Sequence, residues 1–316
     1  MKAAVIHSAD EAPRYEEFAD PETAPGEVLV RVAATGLHPL VKARAAGLSY
    51  TADGLLPMIP GVDGIGHLED GSRVYFLSPR APYGTFSELT VAPAAACFPV
   101  PAGVDTTVGA AIMSPGLSSW LALTIRAPLT TGQSVLVLGA TGPAGRLAIQ
   151  AAKALGAGHV TAAGRDREAL AGLANLGADA AVGLDPDELP HEHYDVILDY
   201  LWGKPAEVLL ARLAKSFNGR GTARTRYIQL GESAGSTVTL TADTLRGTGL
   251  EMLGSGGGSV PMPQILLAIP EYLRRVETGD LRVDVEAVPL ADVRTAWDRT
   301  QRGRRLVVAM DDQRPD

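Results

Sequence analysis

The stretch SVLVLGATGPAGR, residues 134–146, constrains this chain more than any other. An apolar run, Val135 to Leu138, ends in Gly139-Ala140-Thr141-Gly142-Pro143-Ala144-Gly145, and an alanine- and leucine-rich segment continues to Leu155. This order predicts a buried strand, a tight turn and the first turn of a helix. Glycines let the backbone approach a ligand closely. The free N–H groups and the positive end of the helix dipole then meet an anion. Pro143 suits a first helical turn, where its missing N–H is no loss. Ala140 takes the first place of the G-x-G-x-x-G pattern, while Gly142 and Gly145 keep the second and third.

The segments around this turn alternate. Strands are expected at 134–138, 159–163, 180–182, 194–199, 226–230 and 249–254, and helices at 143–156, 166–176 and 205–217. Such alternation predicts an α/β fold, a parallel sheet with crossover helices. Asp199 closes an apolar strand and is expected at the ligand-facing edge of that sheet.

The flanks read differently. Residues 1–100 are β-rich, with clean alternation at Val28, Val30 and Val32. Prolines and glycines interrupt them at intervals of about ten residues, as in a small barrel-like β domain. Strands are expected at 1–7, 27–34, 61–66, 73–77 and 85–91, with one or two helical turns at 40–46. The small apolar stretch 107–124 reads as two helices split at Ser114-Pro115-Gly116. After Gly254 come a helix at 264–278, a strand at 283–289, a helix at 290–301 and a last strand at 305–310. The closing β unit resembles the opening one. The expected organisation is therefore a β domain in two parts, 1–118 and 261–316, around a nucleotide domain, 119–260.

Composition excludes several classes. A length of 316 residues suits two domains. The net charge of −8 opposes nucleic-acid and anionic-membrane partners. No apolar run approaches the roughly 20 residues of a membrane span, and the N-terminus lacks a signal-peptide core; the expectation is a cytoplasmic protein. The single cysteine, Cys97, excludes an internal disulfide and reads as a small buried hydrophobe. Arg299, Arg302, Arg304 and Arg305 read as a solvated cluster at a helix end, and His191-Glu192-His193 as a solvated loop.

In this order the chain resembles the medium-chain dehydrogenase/reductase superfamily, and within it the zinc-independent quinone oxidoreductases. The resemblance rests on MKAAVI, PGEVLVRVAATGLHP, IPGVDGIG, LGATGPAGRLAIQAAKALGA, YDVILDYLWG and VPLADVRTAWDRTQRGRRLVVAM, and covers nearly the whole chain. It implies a GroES-like β-barrel catalytic domain, a Rossmann domain, NAD(P) in the cleft and a homodimer built by pairing Rossmann edges. Zinc-dependent relatives carry a cysteine in the block that is Gly36-Leu37-His38-Pro39 here. They also carry a His-Glu pair where this chain has Val62-Asp63, and a cysteine-rich lobe. His38, Asp63 and His67 are conceivable substitutes, but their spacing fits no familiar zinc site, so no metal is expected.

The choice of cofactor is expected at the end of the strand 159–163. An enzyme that uses NAD places an acid there for the ribose 2′-OH. Here Gly164 holds that place, and Arg165 and Arg167 follow. A guanidinium recognises phosphate, so the expected cofactor is NADPH. The alternatives are that Arg165 is merely exposed, and that Asp166 caps the next helix or takes the ribose itself. Without a metal, hydride transfer requires an activated acceptor: a quinone or an α,β-unsaturated carbonyl, whose oxygen collects charge and needs a hydrogen-bond donor. The resemblance points to His38, Tyr50 and Ser118 as candidate catalytic residues. His38 also reads as a structural histidine, Tyr50 as a loop aromatic and Ser118 as a helix cap. Gly231, Ser255 and Gly256 follow the two late strands and are further cofactor candidates. Two other readings stand beside this one: an enoyl-thioester reductase of the same superfamily, and a non-catalytic NADPH-binding regulatory protein.

Overall fold

A computed structural model describes residues 1–48, 54–190, 192–217, 223–299 and 303–310. The chain divides into two compact units, Met1–Ser114 with Ile269–Asp316, and Pro115–Ala268.

In the first unit the ten-residue strand Glu27–Gly36 is central. It pairs antiparallel with Asp63–His67, Leu89–Pro93 and Arg305–Ala309. The sheet runs in the order Val285–Pro289, Arg305–Ala309, Glu27–Gly36, Asp63–His67, Arg73–Leu77, Cys97–Pro99. A register shift between Val32 and Ala34 bends the central strand. The glycine spacing of 61–66 has a direct cause: a Cβ on Gly66 would lie 2.5 Å from the Arg31 carbonyl oxygen. Val30, Val32, Phe76, Phe86, Trp297 and Val308 form the core of this unit.

The second unit holds a six-stranded sheet, parallel throughout. Its order is Ala180–Val182, His159–Ala163, Ser134–Leu138, Val196–Asp199, Arg224–Gln229, Gly249–Gly254. The first three strands run outward to one side, and the next three to the other. The order therefore reverses between Ser134–Leu138 and Val196–Asp199, and the crevice at the carboxyl ends of these strands is where such sheets bind ligands.

Several local expectations change. The stretch read as two helices is one helix, Thr106–Leu121, that runs through Pro115 and continues as a π-helical segment, Ala122–Arg126. A proline removes one helical hydrogen bond; the burial of Ala111, Ile112, Met113, Leu117 and Trp120 outweighs that loss. The combined segment of 21 residues, with mean hydropathy 1.4, is long and apolar enough to cross a membrane, contrary to the expectation that no such run exists. It is 67% buried within the protein, the condition of a core helix. The helix expected at 166–176 is a short helix, Arg167–Ala171, followed by a 3₁₀ turn, Leu173–Leu176, because Gly172 interrupts it. The helix expected at 290–301 shortens to a 3₁₀ turn, Leu290–Asp292, and a helix, Val293–Trp297. Cys97 is half-buried rather than buried, and burial raises its thiol to about 11. Arg305 is not part of a solvated cluster: it opens the last strand and is 3% exposed.

Candidate active site

The turn after Ser134–Leu138 is built as its residue types require. Gly139 takes a left-handed φ of 84°, and a Cβ on Gly145 would lie 2.3 Å from the Gly139 carbonyl oxygen and 2.7 Å from the Ala140 Cα. Both neighbours are backbone, so the third glycine has no substitute. The amides of Gly139 and Ala140 donate to the Ala163 carbonyl (2.9 and 3.0 Å), and Gly142 donates to Gly139. These three groups hold the turn rather than a ligand. The helix Pro143–Ala154 starts with Gly142 as its cap, and no side chain caps it. Ala144 and Gly145 therefore present first-turn amides without intrahelical acceptors, in the place where an anion binds. Arg146 Nε donates to the Thr141 carbonyl at 3.2 Å and braces the turn.

A cavity of about 480 Å³ opens on this turn, lined by Gly139, Thr141, Gly142, Gly164, Arg165, Asp166, Leu184, Leu201 and Ser233. The glycine turn and Arg165, predicted separately, thus border one space. Arg165 is exposed, and among the described residues it has no ion-pair partner. Arg167 differs: its guanidinium is bound to Glu188 and lies 3.7 Å from Asp185. It is committed to carboxylates and does not line the cavity. Asp166 caps the short helix by accepting from the Ala169 amide at 3.0 Å. A Cβ on Gly164 would stand 2.7 Å from Thr141 Cγ2, so an acid at this position would press on the turn itself.

Asp199 does not face the cavity. It is fully buried; Oδ1 accepts from the amides of Leu201 (2.7 Å) and Trp202 (3.0 Å), and Oδ2 from the Tyr227 hydroxyl at 2.6 Å. Burial raises its carboxyl above the usual range, against the hydrogen bonds that favour the anion. Its work is to hold the chain leaving the sheet, where Trp202 adopts φ 55° and Leu201 reaches the cavity. Gly231, Ser255 and Gly256 sit beyond the late strands. Gly231 donates to the Asp199 carbonyl, Ser255 to the Gln229 carbonyl, and Gly256 to Ser259 Oγ. None of the three lines this cavity. Ser118 falls in the second unit, where its hydroxyl donates to the Pro115 carbonyl at 2.7 Å. The buried Tyr200 hydroxyl lies beside Ser118 and Ser119.

Another cavity of this unit, about 450 Å³, is lined by Arg126, Arg224 and Arg226. These guanidiniums are engaged: Arg126 with the Gly254 carbonyl, Arg224 with Glu251, and Arg226 with the Pro128 carbonyl and Gln133. That sets the cavity apart from the space beside Arg165.

In the first unit His38 is 4% exposed and begins the helix Pro39–Ala45. Its Nε2 lies 3.6 Å from Asp63 Oδ1 and has no hydrogen-bond partner among the described residues. Asp63 also accepts from the Tyr75 hydroxyl at 2.9 Å. His67 does not join them, and among the described residues no three His, Cys, Asp or Glu side chains gather as a metal site. Tyr50 lies outside the described residues. Sequence reasoning missed Tyr75, Tyr227 and Arg305. Each acts through a partner on another strand, and no local pattern marks it.

The first unit thus carries a buried polar cluster, and the second is a doubly wound parallel sheet with a glycine turn beside an arginine. No family model matches the chain. Known proteins do. It is 28% identical to a probable NADPH-dependent quinone reductase of Emericella nidulans, over 98% of this chain and 99% of that one. It is 26% identical to a trans-enoyl reductase of Aspergillus terreus, over 84% of this chain and 79% of the relative. The quinone oxidoreductase of Thermus thermophilus, solved also in complex with NADPH, superposes with a TM-score of 0.80 at 29% identity, covering 98% of this chain and all of that one. These likenesses support the medium-chain dehydrogenase/reductase superfamily, and the quinone oxidoreductases within it.

Proposed function

We propose that this protein is an NADPH-dependent oxidoreductase that reduces a quinone or an α,β-unsaturated carbonyl. The observation that carries the reading is the cavity that joins Gly142, Gly164 and Arg165, with glycine at the strand-end place of a ribose-binding acid and Asp166, which also lines the cavity, capping the next helix. The residues fit the cofactor. The first-turn amides of Ala144 and Gly145 would hold the pyrophosphate, the glycines would admit it, and Arg165 would hold the 2′-phosphate. When bound, NADPH supplies hydride from nicotinamide C4. Gly231, Ser255 and Gly256 would border the cofactor further along its length.

The acceptor is already activated by conjugation, so the chain's task is to bind it and supply a proton to the oxygen that collects charge. The candidate donors of that proton are His38, Tyr50 and Ser118, whose hydroxyl here donates to the Pro115 carbonyl. No metal takes part in this reading, which rests on Val62-Asp63 and His38 standing where zinc-dependent relatives carry ligands. The first unit, Met1–Ser114 with Ile269–Asp316, is read as the GroES-like β-barrel catalytic domain expected at 1–118 with 261–316, and the second, Pro115–Ala268, as the NADPH domain expected at 119–260. The protein is read as a cytoplasmic homodimer, without nucleic-acid or membrane partners. An enoyl thioester is an activated alkene of the same electronic kind, and the likeness to a trans-enoyl reductase supports it as a second substrate class.

The test is a titration of the full chain with NADPH and NADH, followed by assays on quinones, enones, enoyl thioesters and alcohols with chelator present. NADPH preference with turnover of the activated acceptors is expected. NADH preference would remove the Arg165 argument, loss of activity on chelation the metal-free one, and stoichiometric binding without turnover the catalytic one.

A further inference from the structure

Arg305, His38 and Asp63 are far apart in sequence, and sheet register brings them together. The last strand pairs with the central one at Gly36 and Val307, and the Leu37 amide donates to the Leu306 carbonyl at 2.9 Å. One further step along the same register sets His38 opposite Arg305. On the other side Ala34 pairs with Ile65, and two further steps set Gly36 opposite Asp63. Side chains two apart on a strand share a face. His38, Arg305 and Asp63 therefore rise from one face, and over Gly36 between them a Cβ would lie 2.9 Å from the Ala110 carbonyl oxygen. Tyr75, paired with Ile65, stands diagonal to Asp63 and donates to it.

All four side chains are buried, at 5% exposure or less. Arg305 Nε and Nη2 have no hydrogen-bond partner among the described residues, nor has His38 Nε2. Buried charge without a counter-charge is strongly destabilising, and Asp63 is the counter-charge that acts on Arg305. The carboxylate thus stands 3.6 Å from an imidazole and also balances a guanidinium. The other elements against His38 add little charge. The helix Thr106–Leu121 carries no titratable side chain, and on Pro39–Ala45 the Lys42 ammonium lies over Trp297 while Arg44 is partly exposed.

We infer that Asp63 and Arg305 are positioning residues that hold His38 between opposite buried charges and so set its affinity for a proton. Asp63 orients the ring and favours imidazolium. Arg305 offsets Asp63, so His38 is not locked in the charged form and can both give and regain a proton. The catalytic consequence, a proton delivered to the reduced acceptor, rests on the reductase reading; the charge arrangement does not.

The test reads His38 directly. In the full chain with ¹³C-labelled histidine, the His38 ring signal is assigned by its loss in His38→Gln and followed against pH. Arg305→Met should move its midpoint up, Asp63→Asn should move it down, each by about one pH unit or more, and Arg305→Lys should restore it. The exposed His7 and His159 should not move. Shifts of the same sign in the two variants, or an unmoved midpoint in Asp63→Asn alone, would overturn the inference. Asp63→Asn is nearly isosteric, so it serves if Arg305→Met does not fold. The pH profile of kcat/KM separates the two readings. Opposite shifts without turnover of any quinone or enone would sink the reductase reading and leave the charge unit standing. Turnover with unmoved midpoints would do the reverse.

Discussion

Replacing Arg165 with alanine tests the cofactor assignment most directly. The residue follows Gly164 at the end of His159–Ala163, borders the cavity on the glycine turn, and has no ion-pair partner among the described residues. A hydrogen bond to a charged group contributes about 1.5–3 kcal/mol. Arg165 is exposed, and screening at physiological salt moves the expectation to about 1–2 kcal/mol. At 1.4 kcal/mol per decade this is a loss of about 5- to 30-fold in NADPH affinity. NADH has no 2′-phosphate, so its affinity should change by less than about twofold. Calorimetric titration of wild type and variant with both nucleotides, at two salt concentrations, gives the numbers. The NADPH loss should shrink as salt rises. Gly164→Asp should act in the same direction by setting a carboxylate against the phosphate, with Thr141 displaced by the new Cβ. Equal weakening of NADPH and NADH in Arg165→Ala, or an NADPH loss insensitive to salt, would refute the reasoning.

Other perturbations probe the frame around that site. Gly145→Ala should abolish binding of both nucleotides in fluorescence titration, because its Cβ meets backbone at 2.3 Å and the turn must open. Asp199→Ala leaves three buried donors without an acceptor, at about 1–3 kcal/mol each, and thermal unfolding should show a Tm lower by about 5 °C or more. The folded carboxyl of Asp199 is raised by burial. Its contribution to stability is therefore complete below its unfolded pKa near 3.9 and is lost as pH rises through the folded value. Asp199→Asn removes this loss, so chemical denaturation should show the variant gaining on wild type between acid and neutral pH. Cys97, with a thiol raised to about 11, should react with a thiol reagent at pH 8 about two orders of magnitude more slowly than free cysteine.

The parallel sheet and its phosphate turn were legible because their signals are local. The run Val135–Leu138, the glycines at 142 and 145, and the arginine after Gly164 each act on neighbours within a few residues. Where the reading failed, a distant contact had prevailed over a local preference. Pro115 reads as a helix break, but the burial of the residues around it keeps Thr106–Leu121 continuous. Asp199 sits at the end of an apolar strand as expected, yet Tyr227 on the next strand turns it from a ligand-facing acid into an internal anchor. Arg167, the second phosphate candidate after Arg165, is bound instead to Glu188.

The sequence by itself determined the strand, the glycine turn and the arginine on which the proposed nucleotide site rests. Hydrophobic period, glycine placement and charge at a strand end act over short spans and can be read in order. Only the tertiary structure decided what surrounds His38. Arg305 looked like one of several solvated arginines. Sheet register, which depends on long-range pairing and on a bulge at Val32, sets it beside His38 and Asp63 in a buried interior. There water no longer screens the charges, so each one acts on the others.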